Sequence, residues 1–377
     1  MVKLGLGMGS LLATSVYALR GGWKNRFTNA SVHGLDYDEL VASLVTKPSC
    51  RMILDMAASS GRLHGEIDTA FPRDVAIAAI GVLLGKRPMG SLVVAMDRIT
   101  QFVPVPATLD YVILMHRDAN VVTYTIAFPG TAFGNSAMQI ATDINPMCAD
   151  FDLCIDNDVY GQSFWTGFYA SVAGGGNPAI LRVFTQLSAS VRSVKEAAQQ
   201  TDMQHRLVVT GYSLGAMQAL LMAMLYCDDT MQKTTKSLGI TSTTFDTITV
   251  MLFAMPNAVR SGSTSAYVRR AVAKLKIGLY SVCQPFDMVE HLYCALPLSR
   301  SAVPYVHIIC TDGIYRVEAA NVRHGALYDA MWRVPWSPWE LCLLARTVWY
   351  AVKLAASTHM LTEYERKLRI LHGTVCT

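Results

Sequence analysis

A single serine stands between two glycines in the segment RLVVTGYSLGAM, residues 206–217. Gly211, Ser213 and Gly215 satisfy the pattern G-x-S-x-G, between an apolar run and an alanine- and methionine-rich segment. In a nucleophile elbow, a strand turns sharply into a helix and exposes the central serine hydroxyl. The flanking glycines lack Cβ atoms, so the two backbones can approach each other. The segment therefore predicts a serine nucleophile, although an ordinary glycine-rich turn with a capping serine fits the bare pattern as well.

The elements that would position this serine are visible as alternating apolar runs. From about residue 109 onward, short β-rich runs alternate with segments of helical spacing. The predicted strands are 111–115, 122–128, 207–210, 248–254, 279–283 and 305–310, and the predicted helices are 74–85, 178–200, 216–226 and 339–356. Such continuous apolarity is typical of strands covered by helices on both faces, so the sequence predicts an α/β fold with a mostly parallel sheet.

Five segments, in order along the chain, resemble the class-three lipases, the fungal-lipase-like acylhydrolases. They are TIAFPGT (125–131), SFWTGFYASV (163–172), VTGYSLGAMQAL (209–220), LFAMPNAVRSGSTSAYV (252–268) and SVCQPFDMVEHL (281–292). The resemblance spans about 109–370. It implies an α/β-hydrolase fold, with a mostly parallel central sheet flanked by helices, over residues 106–377. Residues 1–105 carry no such resemblance and are predicted to form an N-terminal helical extension.

The resemblance also implies an oxyanion hole and an acid. Thr131 closes the segment FPGT, which is similar to the family's FRGT, with Pro129 in place of the usual arginine. Thr131 and the backbone N–H of Leu214 would then hold the developing oxyanion, where losing one donor typically costs ~10²–10³ in rate. Asp287, in a D-x-V context after the predicted strand 279–283, matches the family's acid, with a loop-capping aspartate as the alternative.

Two histidines are candidates for the general base. In this arrangement the histidine follows the acid, and both His324 and His359 come after the last predicted strand. His359 opens the segment THMLTEYERKL, which resembles the family's terminal histidine and helix, with Tyr364 at the matching spacing. Arg323 lies beside His324, and its charge would disfavour an imidazolium there. We therefore predict His359 as the base, with His324 as the runner-up.

These assignments predict ester hydrolysis through an acyl-enzyme. His359 would accept the proton of Ser213, and Asp287 would orient the imidazole, so the mechanism needs neither a metal nor an organic cofactor. Residues 132–147 lie where the family carries its lid, so a lipid ester substrate and transient contact with a lipid surface are expected; a permanently packed surface helix is the alternative. A phospholipase, another esterase, a thioesterase or a peptidase could use the same residues, and a non-catalytic lipid-binding relative is also possible.

The composition of the chain limits which partners and metal sites are expected. Hydrophobic residues make up 52% and charged residues 16% of the 377, below the roughly 25% charged of an average globular chain. The net charge of +4 comes without a Lys/Arg run, so nucleic acid is not an expected partner. Nine cysteines form no CxxC pair, which disfavours a structural zinc site. The N-terminus fits a secretory signal or a buried segment, which favours a secreted or endomembrane location over a cytoplasmic one, and we predict no integral membrane span. The oligomeric state is open.

Overall fold

The computed structural model describes most of the predicted α/β region and part of the N-terminal one. The described residues are 66–101, 107–130, 148–174, 178–198, 203–241, 243–256, 259, 262–284, 287, 301–310, 313–319 and 359–373. Within these ranges, no helix is both long and apolar enough to cross a membrane. The predicted helix 339–356 lies outside the described residues.

Strands and helices alternate through the chain. The strands are β1 Glu66–Ile67, β2 Leu92–Gln101, β3 Ala107–Asp118, β4 Val121–Phe128, β5 Cys148–Ile155, β6 Asp158–Trp165, β7 Gln204–Tyr212, β8 Thr247–Phe253, β9 Gly278–Cys283, β10 Tyr305–Ile309 and β11 Ile314–Glu318. The helices are α1 Arg73–Leu83, α2 Thr166–Ala173, α3 Ala179–Ala198, α4 Leu214–Cys227, α5 Asp229–Ser237, α6 Ser263–Leu275 and α7 Leu361–Leu371.

Nine of the strands form one sheet in the order β1-β11-β10-β9-β8-β7-β4-β3-β2. The five strands in its middle, β10, β9, β8, β7 and β4, run parallel to one another. Antiparallel strands complete both edges, β2 and β3 on one side and β11 and β1 on the other. The prediction of a parallel central sheet is therefore confirmed for the middle of the sheet. Because these strands are parallel, the loops that follow β4, β7, β8 and β9 all leave the same edge.

Helices cover both faces of this sheet, which explains the continuous apolarity of its strands. In β8, Val250 and Leu252 belong to the core cluster that includes α2, α3 and α4, whereas Met251 and Phe253 belong to the cluster that includes α1 and α7. Successive side chains of a strand point to opposite faces, so both sets must be apolar. A strand with only one buried face would instead alternate between apolar and polar residues.

Helix α4 lies at the centre of the larger core. Every residue of the helix except Ala223 is buried, which matches its nearly uniform apolar sequence LGAMQALLMAMLYC. Its one amide side chain is satisfied, because Gln218 Nε2 donates to the Thr108 carbonyl at 2.8 Å and to Ser171 Oγ at 3.0 Å. These contacts fix α4 against β3 and α2, so the serine directly before the helix is attached to a rigid element.

Several elements of the fold were not predicted, among them strand β2 and the hairpin β5–β6. Strand β2 carries Asp97 and Arg98, and Arg98 pairs with Asp110 of β3 at 2.7 Å, so charges replace the expected apolar run at this sheet edge. The hairpin β5–β6 turns at Asp156 and Asn157, both with positive φ, as a two-residue hairpin turn requires.

In the N-terminal region, residues 66–101 add strands to the main sheet as well as helix α1. The division between residues 105 and 106 stays a prediction.

We expect Gly215→Ala to destabilise the protein, because α4 and β4 are in direct backbone contact there. A Cβ on Gly215 would overlap the Phe128 carbonyl and lie 2.5 Å from the Pro129 oxygen. Overpacking of this kind typically costs about 1–3 kcal/mol. Gly81→Ala in α1 is the matched control, since its Cβ would meet nothing closer than 3.9 Å. Thermal unfolding should show a lower Tm for Gly215→Ala and an unchanged or higher Tm for Gly81→Ala; equal Tm values would contradict the close approach.

Candidate active site

Ser213 lies at the sharp turn between β7 and α4, at the carboxyl edge of the sheet. Its backbone has φ 54° and ψ −122°, a conformation that L-residues rarely adopt. The turn is held by the Ser213 N–H, which donates to the Phe253 carbonyl at the end of β8 at 2.9 Å. A Cβ on Gly211 would overlap the backbone of Gly215, so the strand and helix can approach this closely only with glycine at both positions.

The structure brings His359 and Asp287 to this serine. His359 Nε2 lies 3.2 Å from Ser213 Oγ, and His359 Nδ1 lies 2.8 Å from Asp287 Oδ1. Since a carboxylate only accepts hydrogen bonds, Nδ1 carries the proton when the imidazole is neutral, and Nε2 is then free to accept the serine proton. The Asp287 side chain is fully buried and that of His359 is 13% exposed. This arrangement can activate a hydroxyl for attack on a carbonyl carbon.

Helix α7 supports the carboxylate from its other side. Tyr364 Oη donates to Asp287 Oδ2 at 2.6 Å, so the two carboxylate oxygens bind different partners. The backbone N–H of Gln284 donates to Tyr364 Oη at 3.2 Å, and the Asp287 N–H donates to the Gln284 carbonyl at 3.0 Å. Asp287 is therefore held by its own loop and by the helix that follows His359.

Behind this tyrosine, the same helix buries a lysine. Lys367 is one turn after Tyr364, is 6% exposed, and donates from Nζ to Gln284 Oε1 at 2.7 Å. Burial lowers the pKa of Lys367 from its usual value. Neither Gln284 nor Lys367 was predicted as a site residue, because the motifs assign no role to these side chains and a lysine in TEYERKL is typical of a solvated helix surface. The available signal was a glutamine directly after the last residue of β9, before the aspartate.

The remaining predicted site residues are only partly described. Leu214 opens α4, so its backbone N–H is one of the amides that have no partner inside the helix and point toward the site. Thr131, His324 and residues 132–147 lie outside the described residues. His307 stands in β10 and pairs with Asp68 at 3.1 Å, and burial lowers its pKa. No group of three or more potential metal ligands is present within the described ranges.

The bond from Tyr364 to the buried Asp287 should make a larger contribution to stability than an ordinary buried tyrosine bond. Hydrogen bonds to charged groups contribute about 1.5–3 kcal/mol and neutral ones about 0.5–1.5 kcal/mol. Tyr226→Phe is the control, since it removes one bond from Tyr226 Oη to a neutral carbonyl, that of Thr241, at 2.7 Å, whereas Tyr364→Phe also removes the acceptor of the Gln284 N–H. Chemical denaturation should show a greater loss of unfolding free energy for Tyr364→Phe than for Tyr226→Phe. An equal loss would mean that the carboxylate contact adds nothing.

Several solved fungal lipases are similar to the chain at low identity. The triacylglyceride lipase of Rhizomucor miehei is 17% identical, with 75% of this chain and 86% of that chain covered and a TM-score of 0.38. The lipase of Rhizopus microsporus var. chinensis is 16% identical, with 71% and 79% covered and a TM-score of 0.37. A fungal lipase in complex with an inhibitor is 15% identical, with 72% and 86% covered and a TM-score of 0.42. No curated protein sequence matches the chain.

One protein family matches the middle of the chain. Residues 125–295 match the family described as Lipase (class 3). The matched segment runs from β4 through Ser213 and α4 to the loop that holds Asp287, so it contains the elbow and strands β7, β8 and β9. Through this segment the chain is similar to the class-three lipases, a family of carboxylic ester hydrolases.

Proposed function

We propose that the protein is a serine acylhydrolase that cleaves the carboxylic ester bonds of acylglycerols or related lipids, with Ser213 as nucleophile, His359 as base and Asp287 as orienting acid. The observation that supports this most directly is the position of the His359 ring, 3.2 Å from Ser213 Oγ and 2.8 Å from Asp287 Oδ1. A general base must lie within about 2.6–3.2 Å of the atom whose proton it takes, so this geometry suffices before substrate binds.

In the proposed reaction, the Ser213 hydroxyl attacks the ester carbonyl carbon while its proton passes to His359 Nε2. Asp287 stabilises the imidazolium that forms, and Tyr364 keeps the carboxylate oriented toward the imidazole. The backbone N–H of Leu214, together with Thr131, would donate to the oxyanion. His359 then protonates the leaving alcohol, and a water activated by the same ring releases the fatty acid.

The lipid nature of the substrate rests on the family and on composition. The family match is to lipases, and only 16% of the residues are charged. Residues 132–147, AFGNSAMQIATDINPM, follow β4 along the chain, and Met138, Ile140, Ala141 and Ile144 would form the apolar stripe of a helix there. We propose that this segment is a lid whose apolar side faces the cleft in water and moves aside at a lipid surface.

Substitution of the proposed nucleophile and base should abolish hydrolysis. We expect Ser213→Ala and His359→Ala each to lower kcat for a long-chain p-nitrophenyl ester by ~10⁴ or more, because neither group works without the other. A labelled fluorophosphonate probe should modify the wild type at Ser213 and leave Ser213→Ala unlabelled. Circular dichroism spectra that match the wild type would show that the variants are folded.

His324→Ala serves as the control for the choice of histidine. It should keep at least about a tenth of the wild-type kcat, since loss of a true base costs ~10⁴. If His324→Ala is as inactive as Ser213→Ala while His359→Ala stays active, the base is His324. A wild-type protein that neither hydrolyses esters nor takes the probe would be a non-catalytic lipid-binding relative, and faster turnover of thioesters or peptides would change the substrate class.

Activity should also rise sharply when the substrate passes from monomers to an emulsion, if the lid opens at a lipid surface. The measurement is the initial rate against a short-chain triacylglycerol concentration that crosses its solubility limit. A water-soluble ester below its own limit is the control, for which a hyperbolic curve is expected. A hyperbolic curve for the triacylglycerol too, with no break at the limit, would contradict a mobile lid and leave the roles of Ser213, His359 and Asp287 untouched.

A further inference from the structure

Tyr212, the residue before the serine, contacts the histidine in two ways. Its ring lies against the His359 imidazole, with centroids 5.0 Å apart and planes at 30°. Its hydroxyl donates to the backbone carbonyl of His359. Burial raises the pKa of Tyr212, and the nearby negative charge of Asp287 raises it further, so the phenol keeps its proton and acts as a donor. One side chain therefore holds both the ring and the main chain of His359.

The main chain of His359 needs such a restraint because it lies outside the hydrogen-bond ladder of α7. In the first turn of that helix, the amides of Glu363 and Tyr364 donate to the carbonyl of Met360 rather than to that of His359. The distance from Nε2 to Ser213 Oγ, 3.2 Å, is already at the long end of the range for proton transfer. A small rotation of the His359 peptide would carry the imidazole out of reach.

Tyr212 also contacts Gly130, in the loop after β4. A Cβ on Gly130 would lie 3.0 Å from Tyr212 Cε1 and 3.0 Å from the Tyr212 carbonyl oxygen, so the glycine backbone packs directly against this residue. Gly130 immediately precedes Thr131, the proposed oxyanion residue. The phenol ring thus contacts both Gly130, in the loop after β4, and His359.

We propose that Tyr212 is a positioning residue for ester hydrolysis, which fixes the His359 imidazole relative to Ser213 through its hydroxyl and its ring. This inference rests on the proposed function. Tyr212 acts through His359 and is given no role in proton transfer or in binding the substrate, so its removal should slow the chemical step and leave substrate binding unchanged. A displacement of about 1 Å in a reacting group can cost up to 10²-fold in rate.

The chain offers a matched control for the loss of one buried hydroxyl. Tyr267 in α6 is fully buried, and its hydroxyl also donates to a backbone carbonyl, that of Met224 in α4, at 2.8 Å. Tyr267→Phe and Tyr212→Phe therefore both keep the ring and lose one bond to a main-chain oxygen. Any general loss of stability should be similar in the two variants, whereas only Tyr212→Phe loosens His359.

The test measures kcat, KM and Tm for wild type, Tyr212→Phe and Tyr267→Phe with the long-chain ester, and the rate of fluorophosphonate labelling at Ser213. We expect Tyr212→Phe to lower kcat and the labelling rate about tenfold with KM within about twofold, and Tyr267→Phe to leave all three near wild type. A kcat for Tyr212→Phe equal to that of Tyr267→Phe, or a raised KM with unchanged kcat, would overturn the inference. Wild-type protein without hydrolysis or labelling would overturn the proposed function, and this inference with it.

Discussion

The close backbone contact between β4, β7 and α4 is the constraint on which the site depends. Ser213 can project from the edge of the sheet only if its backbone takes a positive φ, which costs about 1–3 kcal/mol in an L-residue. That cost is met by the surroundings, because α4 is buried almost throughout and β7 is bonded to parallel strands on both sides. Gly211 and Gly215 are needed at this point since any Cβ would overlap backbone atoms that cannot retreat.

The parallel middle of the sheet explains how distant parts of the chain meet at this serine. Asp287 is 72 residues before His359, and Ser213 is 146 residues before it, yet the three side chains form one chain of hydrogen bonds. Parallel strands place the loops after β7, β8 and β9 at one edge, which brings Asp287 within range of the elbow. Helix α7 then packs on the same face as α1, and this packing brings the N-terminal end of α7, with His359, over that edge.

The buried Asp287 carboxylate is held by hydrogen-bond donors. A carboxylate removed from water loses its hydration, and hydrogen-bond donors must replace it if the protein is to remain stable. Tyr364 and His359 supply such donors from two directions, and Gln284 links Tyr364 to Lys367. Tyr212 adds a second restraint on the histidine from the strand side. The site is thus supported by α7 on one side and by β7 on the other.

The sequence by itself determined the parallel strands of the sheet and the order of the candidate residues. Apolar runs predicted the parallel strands because both faces of those strands are buried, and G-x-S-x-G predicted the turn because only glycine tolerates the backbone approach on either side of Ser213. The sequence could not identify β2, whose exposed edge position admits Asp97 and Arg98. It also could not identify the roles of Tyr212, Gln284 and Lys367, because the motifs assign no role to these side chains. Chain order left His324 and His359 as candidates for the base. Each is more than a hundred residues away from Ser213, so its distance from the serine depends on how the chain packs. Only the tertiary structure decided which side chains lie next to Ser213, because strand pairing and the docking of α7 set those distances.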